Sequence, residues 1–269
     1  MKFGLTTKPD DPRRVKVANH IVQFLLGKGD LVVDDDLAPH IGEKVASAPL
    51  REIKCDVMVV VGGDGTILHT LQHNKAPVFG INMGELGFLT EIEPIELADG
   101  LRRVLAGDYF LEHRLRLAAS LNQRRLPDAT NEVAVKTKRI AKILQFEIAW
   151  GDRELVRLRG DGLIVATPTG STSYAMSAGG PIVDPRVECF ALVPLAAFSL
   201  SSRPMVLPPD SVLQMRILQR DKEAVIVVDG QHEELMREGD TLTLYASEER
   251  ARFVRFRQQF FHRLKSRLG

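Results

Sequence analysis

The stretch of sequence that decides the fold class of the first half is residues 59–66, VVVGGDGT. It completes an apolar, β-branched run that begins at Val57, and this run ends directly in a glycine-rich turn. A short continuous run of this kind is typical of a buried parallel strand. Residues 66–72 then favour a helix. The sequence therefore predicts a strand, a tight turn and a helix, the arrangement in which α/β sheets bind ligands.

The rest of the first hundred residues continues this alternation. Strands are predicted at residues 2–6, 31–33 and 78–81. One helix is predicted to start at Pro12 and to end near Gly27 and Gly29, and another to cover residues 94–106 and to be closed by Gly107. Alternating strands and helices indicate a parallel sheet with helices on its faces. We assign residues 1–108 to an N-terminal, Rossmann-like α/β domain.

Short strands dominate the chain after about residue 110. Gly151 and Asp152 lie between two of them and indicate a hairpin, although Asp-Gly is the favoured order. We assign residues 109–248 to an all-β domain. The predicted strands are residues 143–149, 155–158, 163–166, 212–217, 224–228 and 241–245.

The tail, residues 249–269, is basic. Residues 250–269 carry seven bases and no acid. We predict a last strand and a helix that packs on the body, with the bases forming a solvated face, because no groove-reading or base-stacking motif accompanies them. The predicted apolar anchors are Phe253, Phe256, Phe260, Phe261, Leu264 and Leu268.

Composition sets broad limits on the function. The 269 residues contain 36 bases against 35 acids, a net charge of +1, so no global field attracts nucleic acid or an anionic membrane. Apolar residues make up 44% of the chain, yet no run reaches the roughly 18 needed to span a bilayer, and the start lacks a signal-peptide core. The two cysteines form no framework and indicate a reducing compartment. We expect a cytoplasmic protein that binds neither nucleic acid nor membrane.

The glycine-rich turn is the strongest local signal for chemistry. Gly62, Gly63 and Gly65 let backbone N–H groups approach phosphate oxygens at a helix N-terminus. A carboxylate at Asp64 would repel phosphate, so it must hold a hydroxyl, orient a metal or accept a proton; the alternative is a helix N-cap in a tight turn. The turn lacks the Gly-Lys-Ser/Thr of a Walker loop and the Gly-x-Gly-x-x-Gly of a dehydrogenase.

Two later stretches offer polar groups suited to a nucleotide. Asn131 both donates and accepts while Glu132 accepts, a pair that suits a ribose diol or an adenine edge. The hydroxyl-rich turn at residues 169–173 can bond sugar and phosphate oxygens, and Tyr174 can stack on a base. The alternatives are hydroxyls that bond only local backbone and a tyrosine in the core. Phe88, in an apolar run, is either a core residue or a ligand contact.

Several stretches in order give the sequence a family resemblance. GGDGT resembles the loop shared by diacylglycerol, sphingosine and NAD kinases. Together with four further stretches the chain, from about residue 55 to 245, resembles the NAD kinase family. The resemblance implies an N-terminal α/β domain and a C-terminal β-sandwich, with the C-terminus returning to the first domain. The further stretches are residues 82–89 (NMGELGFL), the pair Asn131 and Glu132, residues 161–181, and residues 202–208 together with 229–231.

The resemblance also implies an activity: transfer of the terminal phosphoryl group of ATP, or of polyphosphate, to the 2′-hydroxyl of the adenosine ribose of NAD, which gives NADP. It implies Asp64 as the base, Mg²⁺ or another divalent cation with ATP, and a homodimer or homotetramer. The sequence identifies no cluster of metal ligands. The residues implied to bind NAD are Asp64, Gly65, Phe88, Asn131, Glu132, Asp161, Thr169, Thr172, Ser173, Tyr174, Ser177 and Gln231, and those of the phosphate loop are Gly62, Gly63, Gly65 and Thr66.

The chain departs from the family pattern at two places. Ser173 stands where many members have Ala, and Ala196 and Ala197 precede Phe198 where Pro or His is common. Two rivals remain open: a lipid kinase built on the same loop, and a non-catalytic NAD sensor. The glycines fall in two clusters, residues 62–87 and 160–180, from which we expect a site formed by both domains.

Overall fold

A computed structural model of the chain describes residues 1–84, 87–138, 143–199 and 202–268. The chain divides into two compact units, one made of Met1–His113 with Ala251–Gly269 and the other of Arg114–Arg250.

Strands outnumber helices in the described part of the chain. The helices are α1 (Pro12–Leu25), α2 (Asp64–His73), α3 (Leu97–Ala106), α4 (Tyr174–Ser177) and α5 (Phe260–Leu268). The strands are β1 (Lys2–Thr7), β2 (Asp30–Asp34), β3 (Ala46–Ala48), β4 (Val57–Gly62), β5 (Val78–Asn82), β6 (Phe110–Arg114), β7 (Leu117–Leu121), β8 (Arg124–Arg125), β9 (Glu132–Thr137), β10 (Leu144–Trp150), β11 (Arg153–Gly160), β12 (Gly162–Ala166), β13 (Phe190–Leu195), β14 (Met205–Leu207), β15 (Leu213–Ile217), β16 (Glu223–Val228), β17 (His232–Arg237), β18 (Leu242–Ala246) and β19 (Ala251–Arg255).

The first unit is built on one sheet in the order β3-β2-β1-β4-β5-β19-β6. Strands β1 to β5 pair in parallel, and β19 joins β5 in parallel, so the end of the chain completes the sheet. All six residues of β4 are buried, as its unbroken apolar run predicts. The α/β fold predicted for this half is confirmed.

Helices cover both faces of this sheet. Successive side chains of a strand point to opposite faces, so neighbouring residues of β4 pack against different helices. Val59 lies in a core cluster with residues of α1 and α3. Its neighbour Val60 lies in a second cluster with Ile67 and Leu71 of α2. The helix predicted at residues 94–106 starts as the 3-10 turn Pro94–Glu96 and continues as α3, and Gly107 closes it in the left-handed conformation (φ 73°).

The second unit is an antiparallel β-sandwich, as predicted. One sheet has the order β11-β10-β15-β18-β7-β8 and the other β14-β13-β12-β9-β16-β17. A single core cluster contains residues of both sheets, such as Phe146 from the first and Val165 from the second. The predicted hairpin joins β10 and β11, and Gly151 supplies its positive φ of 59°.

The outer face of the second sheet carries its own small cluster. Ala175 of α4 packs there against Ile164 and Ala166 of β12. The hydroxyl-rich turn, now the 3-10 turn Thr169–Thr172, directly precedes α4 and is buried. Strand β12 and this cluster therefore fix the position of the turn.

The basic tail forms β19 and α5, and two of its predicted roles are wrong. Arg255 and Arg263 are each 5% exposed, so these two bases do not belong to a solvated face. Phe261 is 62% exposed and is not an anchor, whereas Phe253 is fully buried. The side chain of Leu268 lies outside the described residues. Within those residues, no helix is long and apolar enough to cross a membrane.

The contrast between two phenylalanines of the tail gives a stability prediction. Phe253→Ala should lower the free energy of unfolding by about 3–5 kcal/mol, because it empties a ring-sized volume in the cluster beneath α2. Phe261→Ala, the matched control, should change it by less than about 0.5 kcal/mol. Urea unfolding followed by circular dichroism measures both. Equal losses for the two variants would contradict the packing described for β19.

Candidate functional site

Asp64 is the first helical residue of α2, and its carboxylate bridges to a distant loop. The backbone N–H of Phe88 donates to Oδ2 over 2.8 Å, and that of Leu89 donates to Oδ1 over 3.0 Å. The N-cap of α2 is Gly63, so the alternative that Asp64 is an N-cap is wrong. A carboxylate has about four acceptor positions, and these two bonds leave capacity for a substrate hydroxyl.

Two glycines allow the side chains of Asp64 and Thr66 to lie close against the backbone. A Cβ added to Gly87 would collide with the carboxylate of Asp64, and one added to Gly62 would collide with the side chain of Thr66. At these two positions of the first glycine cluster, glycine is therefore needed for close packing. At Gly63 and Gly65 an added Cβ would meet no described atom within 4 Å, so the backbone there borders open space.

Phe88 lies on the same loop, but its side chain packs into the protein. It is 6% exposed, its ring centroid is 6.0 Å from that of Phe260, and the guanidinium carbon of Arg267 lies 5.4 Å from its ring centroid. The side chain thus takes the core role that the sequence left open. Its backbone N–H, not its ring, contacts Asp64. Glu85 and Leu86 of the stretch at residues 82–89 lie outside the described residues.

In the second unit, Asp229 holds the segment that carries Asn131 and Glu132. Asp229 is buried, and its carboxylate accepts the backbone N–H groups of Thr130, Asn131 and Glu132 over 2.8, 2.7 and 3.1 Å. Its own N–H donates to the carbonyl of Glu132 over 3.0 Å. The backbone of Asp229 is left-handed, with φ 50°. Asp229 therefore fixes the start of β9.

The hydroxyl-rich turn lies against this same segment. A Cβ added to Gly170 would collide with the carbonyl of Asn131, so glycine is required there. The hydroxyl of Thr167 donates to the carbonyl of Thr130 over 2.6 Å, and the backbone N–H of Thr167 donates to the carbonyl of Asn131 over 2.8 Å. The fold thus brings together the two polar stretches that the sequence singled out in this half.

The hydroxyls of the turn divide into two groups. Thr172 donates to the carbonyl of Thr169 over 3.3 Å and so bonds local backbone. Ser171 donates to the carbonyl of Pro168 over 2.7 Å and accepts the N–H of Val183 over 3.0 Å, so it also bonds backbone only. Ser173 instead donates to Oε1 of Glu132 over 3.5 Å. The local-backbone alternative therefore holds for Thr172 and not for Ser173.

Glu132 is a buried carboxyl in an unfavourable electrostatic setting. It is 6% exposed, and its Oε2 has no hydrogen-bond partner among the described residues. Burial, together with the nearby negative charge of Asp229, raises the pKa of Glu132 to about 8. Burial also raises the pKa of Asp229, to about 6, against the opposing effect of its three N–H donors. A buried polar atom without a protein partner is a position at which a water or a ligand group can bond.

An open cavity of about 600 Å³ lies on this unit. Asp161 and Tyr174 line it together with Lys136, Ala196 and Glu233. Tyr174 is 43% exposed, so the alternative that it is a core residue is wrong. An exposed aromatic ring beside an open cavity can stack on a base.

Of the remaining predicted residues, two are exposed and one is buried. Ser177 is exposed at the end of α4, and Gln231 is exposed in the turn between β16 and β17. Thr169 is buried in the 3-10 turn. Phe198 is 68% exposed and lies under the guanidinium of Arg159, 5.1 Å from ring centroid to guanidinium carbon.

The described part of the chain contains two free cysteines and no clustered metal ligands. No group of three or more His, Cys, Asp or Glu side chains is placed there to hold a metal ion. Cys55 and Cys189 are free thiols, and burial raises the pKa of Cys55 to about 11. A thiol with so high a pKa is not a nucleophile at neutral pH.

Sequence reasoning gave Asp229 no role of its own and assigned Arg255 and Arg263 to a solvated face. Asp229 belongs to the quoted stretch at residues 229–231, and the Asp-Gly pair there was a signal for a turn with positive φ. The two arginines gave no local signal, because the backbone carbonyls that they bind lie more than 160 residues earlier in the chain.

Comparison with known proteins identifies similar domains and chains. A family model for the ATP-NAD kinase N-terminal domain matches residues 3–109, and one for the C-terminal domain matches residues 130–256. An NAD kinase of Methanothermobacter thermautotrophicus is 41% identical over 273 residues, which cover 100% of this chain and 96% of the relative. An NAD kinase of Thermococcus kodakarensis is 43% identical over 267 residues, covering 97% of this chain and 96% of the relative.

Two solved structures are also similar. An NAD kinase from Archaeoglobus fulgidus in complex with ATP superimposes with a TM-score of 0.80 at 31% identity, covering 99% of both chains. Yeast NADH kinase complexed with NADH superimposes with a TM-score of 0.90 at 25% identity, covering 100% of this chain and 87% of the other.

The raised pKa of Glu132 gives a pH-dependent stability prediction. A carboxyl whose pKa rises on folding favours the folded chain when protonated, so its contribution is lost as pH rises from its usual value of 4.5 towards about 8. Glu132→Gln keeps a neutral side chain of the same shape. The unfolding free energy of the unmodified chain should therefore fall relative to that of the variant between pH 5 and pH 8, by up to about 1.4 kcal/mol per pH unit.

Urea unfolding at pH 5, 6.5 and 8 measures this difference. Asp229 is present in both proteins, so the difference reports the ionisation of Glu132 together with its interaction with Asp229. Glu248→Gln removes an exposed carboxyl and should follow the unmodified chain at every pH. A constant difference between the unmodified chain and Glu132→Gln would mean that Glu132 is ionised throughout.

Proposed function

The chain belongs to the NAD kinase family, and on this premise we propose that it transfers the terminal phosphoryl group of ATP to the 2′-hydroxyl of the adenosine ribose of NAD, giving NADP and ADP. The observation that carries the proposal is the carboxylate of Asp64 at the N-terminus of α2, which two backbone N–H groups hold in place. The glycines on either side of it, Gly63 and Gly65, border open space. This arrangement combines a proton acceptor with backbone suited to phosphate.

The acceptor substrate is bound by residues of the second unit. The unpartnered Oε2 of buried Glu132 and the amide of Asn131 supply hydrogen-bonding groups for the adenosine part of NAD. Tyr174 offers an exposed ring for the base, and Asp161 serves the nicotinamide side. Thr169, Thr172, Ser173, Ser177 and Gln231 complete the proposed NAD contacts. The ring of Phe88 is buried against α5, which favours a supporting role for this residue.

The chemical step balances without a covalent enzyme intermediate. The 2′-oxygen of NAD forms a bond to the terminal phosphorus of ATP, the bond from that phosphorus to the bridging oxygen breaks, and ADP leaves. The proton of the 2′-hydroxyl passes to Asp64. Because charge is spread over the phosphoryl oxygens in a loose transition state, the chain contributes orientation and charge stabilisation more than strong basicity.

Mg²⁺ enters this reaction as part of the donor substrate. Mg²⁺ retains several waters and is held largely by substrate phosphates. We assign the backbone of Gly62, Gly63 and Gly65 and the side chain of Thr66 to the phosphates of the nucleotide.

We also propose a compartment, a class of partners and an oligomeric state for the protein. Two free cysteines support a reducing, cytoplasmic compartment. The near-zero net charge supports small-molecule substrates over nucleic acid or membrane as partners. We propose a homodimer or homotetramer on the resemblance to the family, and sedimentation velocity measures this state.

A coupled assay tests the activity. Purified protein with Mg-ATP and NAD should produce NADP, read continuously with an NADP-specific dehydrogenase. Parallel reactions replace ATP by polyphosphate, NAD by NADH, or NAD by diacylglycerol. NADP formed with ATP supports the proposal. Phosphorylation of diacylglycerol in place of NAD, or NAD binding without turnover, would show a lipid kinase or a sensor instead.

Asp64→Asn tests the catalytic role. The amide cannot take the proton, and it presents N–H towards one of the two backbone donors, so turnover should fall by about 10²-fold or more. The KM for NAD should stay within a few-fold, because the proposed NAD contacts lie mostly elsewhere. Asp99→Asn, which neutralises a 73% exposed carboxylate of the same unit, is the control and should retain full turnover. Near-normal turnover of Asp64→Asn would end the assignment of Asp64 as base.

A further inference from the structure

We propose that Arg263 and Arg255, from the C-terminal segment, are positioning residues for Asp64. They hold the backbone of residues 87–91, and two N–H groups of this backbone hold the carboxylate of Asp64. The inference rests on the proposed function for its kinetic consequence. It rests on contacts within the first unit for its structural part.

Arg263 of α5 is the central contact. Its Nη1 donates to the carbonyl of Gly87 over 3.0 Å and to the carbonyl of Thr90, and its Nη2 donates to the carbonyl of Glu91 over 3.2 Å. Nε donates to Gln259 one turn earlier over 3.3 Å, which orients the guanidinium. The planar fork of an arginine can bind several carbonyls at once, which a lysine ammonium on a flexible stem does less well.

Arg255 of β19 binds the same backbone from a second direction. Its Nη1 donates to the carbonyls of Leu89 and Thr90 over 3.0 and 2.8 Å, and its Nη2 donates to that of Phe88 over 3.4 Å. Between them the two arginines bind the carbonyl of every residue from 87 to 91. Backbone geometry here is therefore set from both sides: carbonyls by the arginines, and the N–H groups of Phe88 and Leu89 by Asp64.

The charges of the cluster are balanced by two acids, one of them buried. Glu91, whose side chain is 1% exposed, lies 3.1 Å from Arg255 and 3.9 Å from Arg263. Glu112 accepts from Nε of Arg255 over 2.9 Å. Because a buried charge that loses its partner is costly, neither arginine can leave without disturbing the whole cluster. The expected result of losing Arg263 is a displaced loop and a misdirected Asp64.

The test compares Arg263→Gln with Lys265→Gln. Both remove one positive charge from α5, but Lys265 is exposed. Amide hydrogen exchange, measured by NMR on the free proteins, should be faster at Phe88 and Leu89 in Arg263→Gln and unchanged in Lys265→Gln. Unchanged exchange in both would overturn the proposal whatever the enzymatic activity. If Arg263→Gln does not fold, Arg263→Lys replaces it, with a smaller acceleration expected.

Kinetics distinguish positioning from general destabilisation. At a temperature where both variants are folded, Arg263→Gln should lower kcat by about tenfold or more with little change in the KM for NAD, since small misplacements of a catalytic group reduce rate steeply. In an Asp64→Asn background the same substitution should cost less than about threefold, because residues that act through one another are not additive. Multiplicative losses would show that Arg263 does not act through Asp64.

The proposed function and the inference about Arg263 would fail in different experiments. An unmodified chain that makes no NADP removes the proposed function, while hydrogen exchange still decides the structural coupling. An active chain whose Phe88 and Leu89 amides do not respond to Arg263→Gln removes this inference and leaves the function in place.

Discussion

The buried carboxylate of Glu91 is the contact on which the first unit's functional loop depends. It accepts the N–H of Phe256 over 2.8 Å and Nη1 of Arg255 over 3.1 Å, and it lies beside Arg263. A carboxylate with 1% of its side chain exposed is tolerable only with such partners. These three partners of Glu91 come from the end of the chain, 164 residues or more away in sequence. The loop that binds Asp64 is therefore completed only when β19 and α5 have docked.

The second unit uses a related device at its own predicted site. Asp229 gathers three consecutive N–H groups at the start of β9, and Arg116 supplies a favourable charge nearby. In both units a side chain distant in sequence fixes a short backbone segment, and this segment presents the groups assigned to substrate. Packing of the sheets alone would place these segments only approximately. Hydrogen bonds to buried charges are directional and strong enough to add the required precision.

Local signals made much of this architecture predictable. The run before Gly62 needs no distant contact to be recognised as a buried strand, and the glycines of GGDGT report a turn directly. The stretches around Asn131 and Thr169 were recognisable because their residue types suit a nucleotide. The fold then juxtaposes them through the glycine at 170. Here the sequence specified both the polar groups and the backbone that brings them together.

Long-range pairing escaped the sequence for a physical reason. A basic helix with no acids of its own is typical of a solvated face, and nothing in its spacing distinguishes Arg263, buried, from Lys265, exposed. The distinction depends on which carbonyls meet the helix after folding. The roles of Thr172, whose hydroxyl bonds Thr169, and of Phe88, whose ring packs on Phe260, were undecided for the same reason.

The buried arginines also change the electrostatic account of substrate binding. The substrates proposed here are polyanions, and the tail supplies seven of the chain's 36 bases. Arg255 and Arg263 are engaged by backbone carbonyls, Glu91 and Glu112, so they cannot also neutralise phosphate. Of the groups near Asp64, the backbone N–H groups at the start of α2 and the cation that accompanies the nucleotide are better suited than these two arginines to attract phosphate. The positive charges of Arg255 and Arg263 thus affect the proposed reaction through the geometry of Asp64, not through their field.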